Sequence, residues 1–210
     1  MGSLARVPPG RAGRLWLEHR LHTADRGAGL LDRKLRILRT EQERFRLLAE
    51  RTGADWRKLC AEADAWLRRG ALLGGQREIR LSQAEQPADV TIEWGAVMGV
   101  RYPRRALCRP RGGQAARRGP GTAALAEATA AYDRVLVAAA DHAAALAACQ
   151  VIEREVDETR RLLRAIQDRW VPRLQGALRE LTERLEEDER SETVRRHWAA
   201  ARHRADGRGL

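Results

Sequence analysis

Few residues in this chain have the spacing that chemistry requires. His19 and His22 stand three apart on a helical pattern, close enough to share a metal ion, yet no carboxylate or cysteine pair completes a ligand set. They read as part of a solvated helix face. The acidic run Glu186 to Glu189 spreads over several faces of a helix instead of pairing two carboxylates for acid/base work, and it too reads as solvated surface. Cys60, Cys108 and Cys149 are far apart and lack a CxxC pair, so neither a disulfide framework nor a thiolate metal site is expected. A reducing cytoplasm fits them. A phosphate-cradling P-loop needs GxxxxGK followed by Ser or Thr, but the only lysines are Lys34 and Lys58, and neither follows a glycine. No GxSxG elbow, HExxH pair or EF-hand loop occurs. The expectation is a non-enzyme with no catalytic, cofactor-binding or metal-ligating residue.

Basic residues dominate the remaining polar chemistry. The 210 residues carry a formal net charge of +11, so an acidic partner is expected, whether nucleic acid, an anionic surface or an acidic protein face. Arg101, Arg104, Arg105, Arg109, Arg111, Arg117 and Arg118 follow one another without an intervening acid, as a phosphate-binding arm requires. Against nucleic acid, the stretch holds no interleaved aromatic beyond Tyr102, and elsewhere both signs are mixed. Arg33, Lys34, Arg36 and Arg39 gather around one turn of a helical pattern.

The elements that must position these groups are long helices. Aromatic residues make up only 4% and charged residues 33%, poor material for a large globular core. Apolar or small residues recur every three or four from Leu17 through Leu21, Ala24, Ala28, Leu31, Leu35 and Leu38, and on through Phe45, Ala49, Trp56, Ala63 and Trp66. At about 1.5 Å per residue, roughly 50 residues in one helix make a rod near 75 Å, which needs a partner along its length. A second arm starts near Thr122 and runs through Val135, His142, Leu146, Cys149, Ile152, Val156, Leu163, Ile166 and Trp170. It resumes past Pro172 at Leu174, Leu181 and Leu185 and weakens towards Val194 and Trp198. Pro172 is expected to bend or break this arm. The five tryptophans outside the insert read as seam or interface anchors.

Between the arms, Gly74, Gly75, Gly95, Gly99 and Pro103 punctuate two short segments with strand character, Glu78–Leu81 and Val90–Trp94, and Trp94 reads as a local core residue. Pro110, Gly112, Gly113 and Gly119 to Gly121 then mark a flexible loop. The expected organisation is an N-terminal coiled-coil helix over 11–69, an insert and loop over 70–121, and a C-terminal coiled-coil helix over 122–204. The expected class is all-α, a long antiparallel coiled coil of the N- and C-terminal helices with a small insert of β-hairpin character. Leu21, Leu31, Leu35, Leu38, Leu163, Ile166, Leu181 and Leu185 are the expected pairing seam. The start lacks an apolar core of signal-peptide length, and no unbroken apolar run reaches membrane-spanning length, so no direct membrane insertion is expected.

Several stretches resemble the D subunit of V-type (A/V-type) ATPases. GRLWLEHRLHTADRGAGLLDRKLRIL, ending at Leu38, is similar to that family's opening helix through Leu15, Leu21, Ala24, Gly27, Leu30, Leu31, Lys34 and Leu38. Met98-Gly99-Val100 with Tyr102-Pro103 resembles its short GV..P segment. Thr159 to Leu174 resembles its RVNALE....P signature at Leu163, Ala165, Ile166 and Pro172, and Leu185 to Arg196 resembles its charged L.E.ERE segment at Glu189 and Arg190. Arg164 and Gln167 replace the family's Asn and Glu, Leu35 stands where a basic residue is common, and His197 replaces a Lys.

The resemblance implies a central rotor stalk without cofactors. Its partners would be the catalytic and non-catalytic head subunits, the small F subunit and the socket subunit of the rotor, in a cytoplasmic location peripheral to the membrane. It also implies that some of Arg33, Lys34, Arg36 and Arg39 face acidic loops of the head. Two other readings compete: a coiled-coil scaffold or dimeric adaptor, whose arms pair between chains, and a basic nucleic-acid-binding protein.

Overall fold

The computed structural model describes residues 7–82, 87–110 and 122–206, the side chains of 203–206 excepted. In chain order these residues form α1 (Gly10–Leu81), β1 (Asp89–Val97), β2 (Val100–Arg109), α2 (Ala123–Ala165), a π-helical turn (Ile166–Trp170) and α3 (Val171–Asp206). Of the described residues 84% are helical, with long N- and C-terminal helices flanking a two-stranded antiparallel insert. The loop with Arg111, Arg117 and Arg118 lies outside the described residues.

The chain packs as two units, residues 1–33 with 159–210 and residues 34–158. In the first, the start of α1 lies beside α3: Arg11 pairs with Glu189 at 2.8 Å, and a Cβ on Gly13 would come within 3.1 Å of Leu181. In the second, Lys34 meets Glu155, Gly53 meets His142, Glu62 meets Arg134 and Gly70 meets Leu125. Within each unit partner numbers fall as α1 numbers rise, so in each the helices run antiparallel within one polypeptide.

The heptad seam of α1 is the face that is covered. Leu17, Ala28, Leu35, Leu38, Phe45, Ala49 and Ala63 are buried, and Leu21, Leu31, Trp56 and Trp66 are half-buried. Leucines off that phase, Leu15, Leu30 and Leu47, are exposed. On the C-terminal arm Leu163 and Leu174 are buried and Ile166, Leu181 and Leu185 half-buried. Leu146 departs from the expected seam: it is exposed, and Ala144, Ala145 and Ala148 are buried in its place. This part of α2 is so rich in alanine that the small side chains allow close approach, and the leucine is turned to the outside.

Three further expectations are corrected. Glu78–Leu81 is helical, because α1 runs on to Leu81 across a break at Gly75, whose φ of 68° suits glycine. Trp94 is exposed on β1 with the Arg101 guanidinium 5.5 Å from its ring centroid, since a two-stranded ribbon buries little on its own. Pro172 neither breaks nor interrupts the helix. It lacks an amide hydrogen, and its ring would crowd the carbonyl four residues back in a regular turn. The preceding turn is widened instead, and the Val171 N–H bonds the Ile166 carbonyl, five residues back. The seam steps from Ile166 to Trp170 to Leu174 are both four residues, one residue in excess of the alternating pattern, and the π-turn absorbs it.

The hairpin turns at Met98 and Gly99, both at positive φ, a two-residue loop whose twist matches the strands. Pairing runs from Asp89↔Arg109 to Val97↔Val100, with a bulge at Glu93/Trp94 that puts Pro103 opposite Trp94. Within its unit the hairpin packs on the helices through Tyr102, whose ring meets Phe45 edge to face at 4.8 Å, and through buried Ala106.

An 18-residue stretch within Ala123–Arg202 has a mean hydropathy of 1.7, so by length and composition this helix is apolar enough to cross a membrane even though Asp141 interrupts its apolar run.

Candidate functional site

No group of three or more metal-ligating side chains occurs among the described residues. His19 and His22 are exposed on α1. The acids at 186–189 are exposed as well, with Glu186 and Glu187 near Arg190 and Glu189 paired to Arg11. The fold brings groups together at the helix–helix seam instead, and the polar ones there are satisfied locally.

Three such sites lie in the unit of residues 34–158. Lys34 Nζ meets Glu155 Oε1 at 2.6 Å with both side chains about three-quarters buried, so this lysine is turned from α1 to α2. Its neighbours Arg33, Arg36 and Arg39 are exposed on α1. Lower along the pair, Tyr132 donates its phenolic proton to Asp64 Oδ1 at 2.5 Å. That hydrogen bond, helped by burial, pushes the phenol up to about 12. The pair borders a small cluster of Ala63, Ala131 and Val135, with Trp56, Leu59, Cys60 and Trp66 packed around it. Between these two sites His142 stacks on Trp56 at 5.7 Å and meets Thr52 Oγ1 at 3.3 Å.

The cysteines are half-buried and reduced. Burial, then the charge of Asp133, pushes the Cys108 thiol up, and burial together with Glu153 does the same to Cys149. Burial also raises the Asp133 carboxyl on α2. A raised thiol holds little thiolate, so neither cysteine is set up as a nucleophile.

What the seam leaves outside is a set of apolar side chains, of which Leu72, Leu73, Leu136 and Val137 were not singled out by sequence reasoning. Leu72 and Leu73, 88% and 70% exposed, precede the glycine break of α1, and Leu81 follows it. Leu136, Val137 and Leu146 are exposed on α2, and Val194 and Trp198 on α3. For some the signal was present, since Leu72 and Leu136 lie off the heptad phase of their arms, whereas Leu73 and Leu146 fall on it. A family model for the D subunit of ATP synthase matches residues 15–201, which takes in nearly all of α1, the hairpin, α2, the π-turn and most of α3. The chain belongs to the ATP synthase D-subunit family. A search among curated proteins returned no significant match.

Membership makes the chain a stalk component of a rotary ATPase, working among the other subunits of a membrane-associated complex. The departures from the family's signature fall at distinct kinds of place. Arg164, Gln167 and His197 are exposed, whereas Leu35, where a basic residue is common, is buried in the seam. A charge at position 35 would need a partner there; leucine fills the seam with no such requirement.

Proposed function

We propose that this member of the D-subunit family is the central rotor shaft of a V/A-type rotary ATPase. It is a non-catalytic axle transmitting torque between the ATP-hydrolysing or ATP-synthesising head and the membrane rotor that moves protons or sodium ions. The observation that carries the reading is the antiparallel pairing of the two ends of one polypeptide, in a chain matched to the family over 15–201. An asymmetric rod biases similar nucleotide sites only if its angle changes their contact energies, so it acts as a ligand with different affinity for each state of the head.

Its partners are then the catalytic and non-catalytic head subunits around the paired termini, with the F subunit and the socket subunit lower down. The exposed Arg33, Arg36 and Arg39 suit acidic loops of the head, and a net charge of +11 favours such contacts generally. Lys34 serves the hairpin through Glu155. The exposed leucines around the Gly75 break suit the socket. On this reading the protein is cytoplasmic and peripheral, and the apolar stretch of α2 meets protein rather than lipid or nucleic acid.

Two experiments test the proposal. The tagged chain should bring down head subunits and the F subunit in fixed stoichiometry; a self-contained dimer without ATPase subunits rejects it. Removing the residues before Leu17 and after Glu189 should leave ATP hydrolysis by the head but abolish ion pumping. Unchanged pumping would refute the torque role.

A further inference from the structure

The face that α2 turns to α1 is chemically repetitive between Ala138 and Ala148. Alanines occupy 138–140, 143–145 and 147–148, and one methyl group resembles another. Sliding such a helix by a heptad sets Val137, Ala138 and Asp141, or Val151, Ile152 and Glu155, where Ala144, Ala145 and Ala148 lie. Within the stretch itself the alanines hold the helices together but have little shape of their own, so a larger group there weighs most in the register.

One residue in this stretch is different. The His142 ring lies flat over Gly53: a Cβ at that position would stand 2.9 Å from Cε1, 3.3 Å from Nδ1 and 3.4 Å from Nε2. Only glycine admits it, and this explains a residue that otherwise weakens the interior of α1. The Thr52 hydroxyl has one proton, given to the Leu48 carbonyl at 2.9 Å. Its oxygen is therefore the acceptor at 3.3 Å, and His142 Nδ1 carries the hydrogen. The third wall is Trp56, whose ring is stacked within 20° of the imidazole plane. Thr52, Gly53 and Trp56 form a slot shaped for one ring.

We infer that His142 in the slot of Thr52, Gly53 and Trp56 is a positioning contact that sets the axial register of the alanine-rich stretch of α2 against α1, beside the polar pairs above and below it. A shift of one heptad sets the imidazole against Arg46 or Cys60, whose side chains fill the space that Gly53 leaves open. A polar group at a seam position gives up stability and selects one register in return. The inference does not rest on the rotary reading, and its test needs only the isolated chain.

The test uses the full chain with Cys60, Cys108 and Cys149 changed to serine and three cysteine pairs introduced in turn. Glu62→Cys with Arg134→Cys reports the native register, because these side chains form an ion pair at 3.1 Å. Glu62→Cys with Glu127→Cys, or with Asp141→Cys, reports a slip of one heptad in either direction. With His142 present, mild oxidation should link only the first pair. His142→Leu should keep its helical content and thermal midpoint, yet one slipped disulfide should form about tenfold or more faster than in the parent. Native-only linking in His142→Leu overturns the inference. Should that variant lose its helical signal, Gly53→Ala closes the slot while leaving the imidazole, and it must produce the same slipped links. If it links only the native pair, the inference also fails.

Discussion

Deleting one residue from the π-turn should be far less damaging than deleting one residue two turns later. A π-turn is an α-helix carrying one residue too many, so α3 leaves the turn Ile166–Trp170 at the angle it would have had with that residue absent. Removing exposed Gln167 leaves Val171 four residues from Ile166, so their hydrogen bond becomes an ordinary α-helical one, and Leu174, Leu181 and Leu185 keep their direction. Removing exposed Arg179 turns everything after it by about 100° and draws it back by about 1.5 Å. Leu181 and Leu185 are half-buried, and full burial of a leucine contributes about 1.5–3 kcal/mol, so turning both away costs about 1.5–3 kcal/mol together. Pro172 complicates the comparison, since a proline in a regular helix interior costs about 3 kcal/mol. Both deletions are therefore made in a Pro172→Ala background. Urea unfolding followed by far-ultraviolet circular dichroism should place the Gln167 deletion within about 1 kcal/mol of that background and the Arg179 deletion at least about 1.5 kcal/mol below it. Equal losses would mean that the widened turn does not hold the surplus residue.

Other outcomes follow from single contacts. Tyr132→Phe should lose about 1 kcal/mol at neutral pH, the lower end of a hydrogen bond to a charged group, because the pair is partly exposed. The phenol's folded value, about 12, lies above its ordinary 10.0, so the contribution is complete below pH 10 and disappears as pH rises through 12. Denaturation from pH 8 to 12 should show the parent converging on the variant, and a constant gap would contradict this. Ile152→Ala, at a fully buried site, should cost about 2–5 kcal/mol, while Leu146→Ala should stay within about 0.5–1 kcal/mol; comparable losses would restore Leu146 to the seam. Gly27→Ala and Gly29→Ala meet nothing within 4 Å and should each stabilise the isolated chain by up to about 1 kcal/mol, measured by thermal melting. Gly70→Ala should not, because its Cβ would stand 2.6 Å from Leu125 Cδ2, and a gain there would show that Leu125 moves aside freely.

The covered face of α1 was legible because leucine, phenylalanine and tryptophan at heptad spacing leave one arrangement that hides them all. Leu35, Leu38 and Phe45 are buried where that pattern puts them. On α2 the same reasoning chose Leu146 for its size, whereas alanine on every face makes hydrophobicity a poor guide and close approach decides instead. Glu78–Leu81 misled for a related reason, since two glycines ahead of it suggest a chain that has left its helix, and α1 resumes after one residue at positive φ. The π-turn could be anticipated only by reading two four-residue steps together with Pro172. Trp94 depended on how much of the insert the helices cover, which no local pattern encodes. Of the candidate contacts, Lys34 is half-buried against Glu155, a partner 121 residues away, while Arg33, Arg36 and Arg39 are exposed, and no local pattern encodes that difference.

The two arms divide the labour of packing unequally, and this accounts for what is left outside. In the unit of residues 34–158, α1 offers large side chains at Leu35, Leu38 and Phe45, while α2 offers Ala144, Ala145 and Ala148 among its buried residues. Large side chains against small ones let two helices approach towards the near end of the usual 8–10 Å spacing. A close pair has a narrow seam, and a narrow seam cannot also cover leucines one position off its phase. Leu47 and Leu48 on α1 and Leu136, Val137 and Leu146 on α2 are therefore left exposed by the same geometry that tightens the seam. If the chain works as the proposed shaft, those residues gain their burial from neighbouring chains. Polar replacement at Leu136 and Leu146 should accordingly leave the isolated chain's melting temperature nearly unchanged while weakening its assembly with partner subunits. A large fall in melting temperature without loss of assembly would show that this face is covered within the chain itself.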